Sequence, residues 1–328
     1  MLIKPILFIA LSATSFATVV QTPAPTKATG NDFINVFETL SGKQAGVRKG
    51  HAKGVCATGE FEPSGQALHY SNSPLLRSGK NQANIRFSMA GGNPNADERA
   101  RTPRGIGVQF ITEKGEVHNI AGLTTPVFPG KSPEVFLGLL NTLVPNEQGK
   151  VDFKKVAEYR KQNPSTLGQF NWLQAHNPPS SYAHTTYFGI HTFYMVNDEG
   201  KHTPFRWQLV PETARKQLTD EQMTSLESSF LAKQLEQDLA QAPIHLQLQA
   251  VIGQAGDPVN DPSVQWPADR EVIALGRLTL TASGKNQCDP TNFDPNLLAP
   301  GFAPSDDAVL KLRSSAYAIS FGKRLTGQ

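Results

Sequence analysis

The sequence contains few cysteines: only Cys56 and Cys288 occur among its 328 residues. Two cysteines so far apart cannot build the disulfide framework of a small secreted domain, and they lack the paired Cys/His spacing of a zinc site. In an oxidising compartment the two thiols could pair, and otherwise they would be half-buried free thiols. The sequence leaves both alternatives open, but it excludes the disulfide-rich and zinc-binding classes of protein.

An excess of charge of one sign is also absent. The chain has 31 Lys and Arg against 28 Asp and Glu, a formal net charge of +3, and no basic cluster of the kind that nucleic-acid-binding proteins carry. Long hydrophobic runs are missing too, since no segment has the ~20 apolar residues that a membrane helix requires. The sequence therefore predicts neither a nucleic-acid partner nor a membrane span.

The first residues have the pattern of a targeting signal. Met1 to Lys4 give a short basic start, Pro5 to Leu11 are apolar, and Ser15-Phe16-Ala17 offers small residues at a cleavage site. We predict export to the periplasm, with three segments: a signal peptide over residues 1–17, a Pro- and Thr-rich tether over 18–30 and one domain over 31–328. A buried first helix is the alternative interpretation of the apolar stretch.

Short β-prone runs bounded by turn-forming residues recur along the chain. The last two of these runs alternate apolar and polar residues, which is typical of half-buried strands. The predicted strands are Asn84–Met89, Ile106–Thr112, Gly189–Asn197, Pro204–Val210, His245–Ile252 and Arg277–Ala282. Residues 90–105, which are rich in turn formers and charge, predict a long loop between the first two strands.

Helices are predicted from their start signals, which are a Ser-Pro pair, a capping box between Thr219 and Gln222, and two acids in a first turn. The predicted helices run from Ser132 to Leu143, from Thr219 toward Ala240, and from Asp306 to Tyr317. A β-rich first half followed by helices predicts an α+β fold around one barrel or sheet.

Eight short motifs then follow one another in a fixed order. They are His51-Ala52-Lys53-Gly54, Gly59-Glu60-Phe61-Glu62, Arg86-Phe87-Ser88, Arg101-Thr102-Pro103-Arg104-Gly105, Thr125-Pro126-Val127-Phe128, His191-Thr192-Phe193, Phe293-Asp294-Pro295 and Arg313-Ser-Ser-Ala-Tyr317. In order and spacing they resemble the landmarks of the haem catalases, over residues 30–328. The resemblance implies the antiparallel β-barrel core of that family with flanking helices.

The resemblance also implies a haem between two functional side chains. The motif at His51 is similar to the segment with the family's distal histidine, which moves a proton between the two oxygens of peroxide, as general base and then as general acid. The last motif implies Tyr317 as the axial iron ligand, since tyrosine is the haem ligand of catalase. A free phenol has a pKa near ~10, so a phenolate ligand requires a neighbouring cation, and Arg313 lies one turn earlier.

Further residues are implied in holding the haem, which is expected to be haem b. Haem has two carboxylates, and buried carboxylates require cationic partners. Arg48, Arg101 and Arg324 match the family's propionate-binding arginines, although the sequence around Arg324 differs from the usual pattern. Phe128 and Phe136 match the distal aromatic residues that pack on the porphyrin.

Two departures separate the chain from full catalases. Leu123 stands where they carry a functional asparagine, and Asn119 is three residues out of register for that role. Because the missing amide orients peroxide, its loss is expected to slow the oxidation of a second peroxide to oxygen. Only 328 − 317 = 11 residues follow Tyr317, so the chain lacks the long C-terminal helical region of full catalases. Both features resemble the small catalase-related peroxidases.

The resemblance therefore implies a haem-dependent peroxidase that reduces hydrogen peroxide or organic hydroperoxides with a small organic electron donor. Weak catalase side activity and an antioxidant role are expected with it, in a monomer or a small homo-oligomer. Two alternatives remain open. A fatty-acid hydroperoxide isomerase of the allene oxide synthase type would require an apolar tunnel, and a non-enzymatic haem carrier would not require His51.

Overall fold

The structure, a computed structural model, describes residues 27–77, 79–284 and 287–328. The predicted signal peptide and most of the predicted tether lie outside these residues. Of the last tether residues, Ala28 and Gly30 are buried and Thr29 caps the first helix. The boundaries of the signal peptide, the tether and the domain stay predictions.

The core is a closed antiparallel β-barrel. The strands of the sheet are β1 (Gly54–Pro63), β2 (Asn81–Met89), β3 (Arg104–Ile111), β4 (Val117–Leu123), β5 (Tyr187–Phe188), β6 (Phe193–Val196), β7 (His202–Pro211), β8 (Ile244–Ile252), β9 (Val272–Gly284) and β10 (Phe302–Pro304). Eight of them close in the order β1-β2-β3-β4-β5-β7-β8-β9, and β9 pairs with β1. β6 and β10 extend the sheet beyond β7. The barrel confirms the predicted fold class.

Alternation of side chains fills the barrel. Along β8, Leu246, Leu248, Ala250 and Ile252 are buried, while the residues between them are partly exposed. The same period of two is expected for any strand with one face in a core. Together with residues of the other strands, these side chains form one large apolar cluster, which holds the strands in register.

Helices cover the barrel from outside. They are α1 (Gly30–Ser41), α2 (Pro133–Thr142), α3 (Phe153–Gln162), α4 (Leu167–Ala175), α5 (Gln222–Ser225), α6 (Leu231–Gln241) and α7 (Ala308–Leu325). α1 begins with a complete capping box between Thr29 and Asp32, and Ser132 and Asp307 cap α2 and α7 through their side chains. These polar caps satisfy N–H groups that have no partner inside the helix.

Two helix predictions differ from the structure. The capping box between Thr219 and Gln222 forms, but α5 ends at Ser225 instead of continuing toward Ala240. The next helix, α6, starts separately, because the buried Glu98 carboxylate accepts the N–H groups of Phe230 and Leu231, each at 2.6 Å. The last helix is longer than predicted: it continues past Tyr317 to Leu325.

Three helices pack against each other at one side of the barrel. Phe33 of α1 stacks on Phe136 of α2 with ring centroids 5.5 Å apart, and Leu312 of α7 packs against the same cluster. At Gly30 the helices α1 and α7 approach each other closely, since a Cβ atom on residue 30 would lie 2.6 Å from Ser315 Oγ. This layer fixes the position of α7 relative to the barrel.

Cys56 of β1 and Cys288 form a disulfide, with Cα atoms 5.5 Å apart and 232 residues of separation in sequence. Of the two alternatives that the sequence left open, the structure has the paired one. Both residues are buried and pack against Phe293 and Tyr317. The disulfide thus ties the segment before α7 to the barrel wall. No helix among the described residues is long and apolar enough to cross a membrane.

Candidate active site

A cavity of about 570 Å³ lies among β2, β3 and β4 of the barrel, the helices α1, α2 and α7, and the turn before β1. Its volume is in the range of cofactor and small-molecule sites, ~300–1,000 Å³. Six of the eight site residues predicted from the sequence line it: Arg48, His51, Phe128, Phe136, Arg313 and Tyr317. Arg101 and Arg324 are not among its lining residues.

Tyr317 and Arg313 form a hydrogen-bonded pair on α7. Because residues four apart share one helix face, the Arg313 guanidinium reaches the phenol and donates from Nη2 to Tyr317 Oη at 2.7 Å. The guanidinium carbon also lies 5.3 Å from the centre of the Tyr317 ring. The guanidinium therefore places a positive charge beside the phenol oxygen, and both side chains line the cavity.

A second pair, whose two side chains are fully buried, lies at the start of α7. His191 Nδ1 is 2.6 Å from Asp307 Oδ2, and the same carboxylate caps the helix by accepting the N–H of Val309 at 2.8 Å. Burial lowers the pKa of His191, Asp307 raises it in part, and Arg313 lowers it again. The imidazole is therefore neutral and donates from Nδ1 to Asp307. The sequence placed His191 in a motif but predicted no role for it.

His51 has a left-handed backbone conformation, with φ of +55°, which residues other than glycine rarely adopt. Arg86 of β2 holds it, because its Nη1 and Nη2 donate to the carbonyl oxygens of His51 and Ala52 at 2.9 and 3.0 Å. Gly105 of β3 leaves room for the ring, since a Cβ there would lie 2.7 Å from two imidazole atoms. The position of the His51 ring is thus set by both strands.

The second contact of the His51 ring is with Ser88 Oγ, 2.9 Å from Nδ1. Ser88 Oγ also lies 3.5 Å from the carbonyl oxygen of Gly105, which accepts its hydroxyl proton. Nδ1 then carries the imidazole proton, and Nε2 keeps its lone pair. Burial, together with the charges of Arg86, Arg313 and Arg48, lowers the pKa of His51 to about 3. His51 is therefore a neutral base.

The remaining predicted arginines are in different environments. Arg48 donates from Nη2 to the carbonyl oxygens of Cys288 and Thr291, and its Nε is buried without a hydrogen-bond partner among the described residues. Burial, with Arg86 and Arg324 nearby, lowers the pKa of Arg48 to about 9. Both terminal nitrogens of Arg324 are also buried without a partner in the described ranges. The Arg324 guanidinium lies 4.9 Å from the ring of the cavity residue Phe321.

The structure does not bring Arg101 to the cavity. Its side chain is exposed and donates to Asn177 Oδ1. The turn at Pro103 directs the chain so that the next arginine, Arg104, is fully buried, where it donates to the carbonyl oxygens of Glu98, Ala100 and Thr102. The prediction missed two arginines that line the cavity: Arg86, which the sequence placed in a motif without a role, and Arg160.

Two aromatic residues close one wall of the cavity. Phe128 meets Phe136 edge to face with ring centroids 4.6 Å apart, and Phe136 in turn stacks on Phe33. Edge-to-face and offset pairs of this kind fix the rings relative to each other. Both predicted residues are therefore placed to contact a flat apolar ligand, and that contact stays a prediction.

The cavity matches the requirements of haem in three respects. Its walls are mostly apolar, the phenol of Tyr317 is held by a cation, and buried guanidinium nitrogens of Arg48 and Arg324 have no hydrogen-bond partner among the described residues. Buried cations without partners are costly, and two carboxylates would pair with them. The fold and the site thus fit a flat, mostly apolar cofactor that carries two carboxylates.

Comparisons with known proteins identify the family. The catalase family matches residues 17–328. A catalase-related peroxidase of Synechococcus elongatus is 38% identical over 93% of this chain and 91% of that protein, and one of Mycolicibacterium paratuberculosis is 30% identical over 89% and 93%. A bacterial catalase structure is similar with a TM-score of 0.77 and 21% identity, over 95% of this chain and 63% of that one. The chain belongs to the catalase family, whose members normally bind haem and act on peroxide.

The contrast between Arg48 and Arg101 can be tested through haem retention. Replacing Arg48 by Leu removes a buried cation, and charged hydrogen bonds contribute ~1.5–3 kcal/mol, so haem should leave at least about ten-fold faster. Replacing the exposed Arg101 by Leu should change the rate less than about two-fold. The measurement is haem transfer to a scavenging apoprotein. Equal acceleration in both variants would contradict the placement of Arg101 outside the site.

The neutral state of His51 predicts a flat pH profile. A base with a lowered pKa stays deprotonated at every pH above that pKa. It is protonated, and so stops acting as a base, only as the pH falls toward the pKa. The second-order rate of peroxide consumption should therefore vary little between about pH 5 and about pH 8, where an ordinary histidine titrates. Stopped-flow measurement checks this, with His51→Gln as the control, slower by ~10²–10⁴-fold at every pH. A rate that falls with a midpoint near ~6.5 would show that His51 is protonated in that range.

Proposed function

We propose that the protein is a haem b-dependent peroxidase that reduces hydrogen peroxide or organic hydroperoxides with a small organic electron donor. The observation that carries this proposal is the composition of one cavity: a neutral histidine base, a tyrosine held by an arginine, and Leu123 at the end of β4. We also propose weak catalase side activity, a role in removing peroxide, and function as a monomer or small homo-oligomer.

In this mechanism Tyr317 would hold the iron through its phenol oxygen, and Arg313 would keep that oxygen anionic by donating a hydrogen bond to it. A bound haem would supply the redox-active iron at which the peroxide O–O bond breaks. His51 accepts the proton from one peroxide oxygen at Nε2 and returns it to the other oxygen, which leaves as water. Arg86 and Ser88 keep the imidazole in position and in the required tautomer.

Leu123 supports donor oxidation over oxygen release. It lies opposite Gly105 in the register of β3 and β4 and lines the cavity. Thr124 and Asn119 do not replace the missing amide: Thr124 Oγ1 accepts the N–H of Arg104, and Asn119 Nδ2 is buried and donates to the carbonyl oxygens of Asn292 and Asp294. A second peroxide would therefore meet an apolar side chain at this position.

A fatty-acid hydroperoxide isomerase is the second candidate, and the apolar character of the cavity favours it. The two enzymes share peroxide cleavage and differ in the fate of the organic product. Rearrangement of a fatty-acid hydroperoxide without donor consumption would identify the isomerase. A haem carrier is disfavoured, because Arg86 and Ser88 hold His51 in a strained conformation that haem binding alone does not require.

Export to an oxidising compartment is part of the proposal. The disulfide between Cys56 and Cys288 supports it, since such bonds persist outside the cytosol and are rare within it. The predicted signal peptide lies outside the described residues. Cell fractionation with the full chain tests this proposal, and protein found only in the cytosolic fraction would contradict it.

The balance of activities is tested at Leu123. Replacing Leu123 by Asn adds an amide, and one hydrogen bond contributes ~0.5–1.5 kcal/mol, so oxygen release from hydrogen peroxide should rise up to about ten-fold. Oxidation of a phenolic donor should change much less. The control, Leu123→Ala, opens equal or more space without an amide and should not raise oxygen release. Oxygen evolution and donor oxidation are compared at equal haem content.

Either of two results would contradict the role of Leu123. Oxygen release at the speed of a full catalase in the unmodified protein would remove the reason for calling it a peroxidase. An equal rise in Leu123→Ala would attribute the effect to space rather than to the amide.

A further inference from the structure

The outer part of the cavity contains a cation that the proposed mechanism does not use. Arg160 of α3 lines the cavity, and its guanidinium carbon lies 4.5 Å from the centre of the Phe170 ring of α4. Phe170 also lines the cavity and is 39% exposed, so the cavity opens to solvent at this ring. Arg160 is itself half-buried.

This opening lies on the side of Leu123 and Phe128. Gln169, the residue before Phe170, donates from Nε2 to Thr125 Oγ1 at 3.0 Å and to the carbonyl oxygen of Val127 at 3.1 Å. All three of these groups belong to α4 or to the segment that directly follows Leu123. The first turn of α4 is therefore fixed against the segment that joins Leu123 to Phe128. Neither of these hydrogen bonds involves α7, the helix that carries Tyr317.

Arg160 differs from the other arginines of the cavity. Four arginines are among the described lining residues, and no acidic residue is. Arg86 holds the His51 loop, Arg48 the turn at Cys288, and Arg313 the phenol of Tyr317. Arg160 donates only from Nη1, to the carbonyl oxygen of Thr166 at 2.8 Å, and it has no ion-pair partner in the described part of the chain.

The geometry leaves one edge of the guanidinium for a ligand. With one face on Phe170 and Nη1 engaged, Nε and Nη2 have no acceptor among the described residues. That edge presents two parallel N–H donors, an arrangement that fits the two oxygens of a carboxylate. Stacking on an aromatic ring fixes the plane of the guanidinium and reduces the entropy lost on binding.

Apolar side chains continue inward from this cation. Leu173 lies one turn after Phe170 on α4, and Phe136 and Leu139 of α2 line the same cavity. A ligand that satisfies both parts has one carboxylate and an apolar aliphatic or aromatic body. Its body would lie in the cavity while its charge stays near solvent.

We propose that Arg160 and Phe170 form a subsite for the carboxylate of such an amphipathic organic acid, which is either the organic hydroperoxide or the electron donor. The inference rests on the proposed peroxidase function, and it adds the chemical class of the molecule that the cavity selects. Arg160 is thus a specificity-determining residue, which touches the ligand away from the reacting atoms.

The test compares carboxylates with their neutral counterparts in the haem-loaded protein. Each pair is a phenolic donor with a carboxylate and its methyl ester, or a fatty-acid hydroperoxide and its methyl ester. Charged hydrogen bonds of this kind contribute ~1.5–3 kcal/mol, so Arg160→Gln should raise KM for the acids about ten-fold or more. KM for the esters, and kcat for acids and esters, should change less than about two-fold. The carboxylate contact with Arg160 is equally strong in the ground state and the transition state, so it affects binding and not turnover.

Two further variants separate charge from position. Arg160→Lys keeps the charge but loses the paired donors, and it should have an intermediate KM for the acids. Lys161→Gln removes a charge from the neighbouring exposed position of α3, outside the cavity, and should leave every KM unchanged. If Lys161→Gln has the same effect as Arg160→Gln, general electrostatic attraction explains the data and the subsite is refuted.

The two possible ligands are distinguished by the arm that responds. A changed KM in the hydroperoxide pair identifies the oxidant as the acid, and a changed KM in the donor pair identifies the reductant. Equal effects on acid and ester, or none on either, would overturn the proposal. Loss of haem from Arg160→Gln would also overturn it, because Arg160 would then belong to the cofactor site.

A binding measurement does not depend on turnover. Calorimetric titration of the haem-loaded protein with decanoate, which cannot react, should give a Kd that is about ten-fold weaker in Arg160→Gln than in the unmodified protein. If the protein oxidises no organic donor but this difference is found, the peroxidase proposal fails and the carboxylate subsite stands. If decanoate binds both proteins equally, the subsite fails whatever the activity.

Discussion

One buried carboxylate fixes the helix on which the site depends. Asp307 caps α7 by accepting the N–H of Val309, and it also binds His191 Nδ1 at 2.6 Å. The first contact determines where the helix starts, and the second attaches that start to the segment before β6. Arg313 and Tyr317 follow one and two turns later, so their position relative to the barrel is set by the same contacts. The disulfide and Phe293 pack against Tyr317 from the other side.

The cavity carries positive charge that its own side chains do not neutralise. Four arginines and no acidic residue are among its described lining residues, and the terminal nitrogens of Arg324 lie buried nearby. Some of the guanidinium groups donate hydrogen bonds to backbone carbonyl oxygens: Arg48 to those of Cys288 and Thr291, and Arg86 to those of His51 and Ala52. Burial lowers the pKa of His51, and the charges of Arg86, Arg313 and Arg48 add to that effect, so the imidazole stays neutral. Haem carboxylates would offset the cost of the buried cations, which couples cofactor binding to the stability of the fold.

Residues that act through their own side chain could be predicted from the sequence. His51, Arg313 and Tyr317 stand in motifs with fixed spacing, and the structure brings them into one cavity. The pairing of Arg313 with Tyr317 needed only the helix period, since four residues make one turn. Five of the eight barrel strands, β2, β3, β7, β8 and β9, overlap predicted strands, whereas β1, β4 and β5 were not predicted. Alternation of apolar and polar residues indicated β8 and β9.

Residues that act through long-range contacts could not be predicted. The role of Arg86 depends on the left-handed backbone of His51, which no pattern in the sequence indicates. His191 and Asp307 are 116 residues apart, and Cys56 and Cys288 are 232 apart, so neither pairing follows from local sequence. Arg101 lies outside the cavity lining, and its role in holding the haem stays a prediction. Of the two arginines around Thr102 and Pro103, the strand buries Arg104 and leaves the other in solvent.

The central claim is that Tyr317 holds the iron on the face of the haem opposite His51. The absorption spectrum of the haem-loaded Tyr317→Phe variant tests it most directly, because Phe keeps the packing against Phe293 and the disulfide but removes the oxygen. Tyr194→Phe on β6, outside the cavity, is the matched control. We predict that Tyr317→Phe loses haem or gives a spectrum without phenolate ligation, while Tyr194→Phe keeps the spectrum of the unmodified protein. An unchanged spectrum with full haem occupancy in Tyr317→Phe would contradict the account.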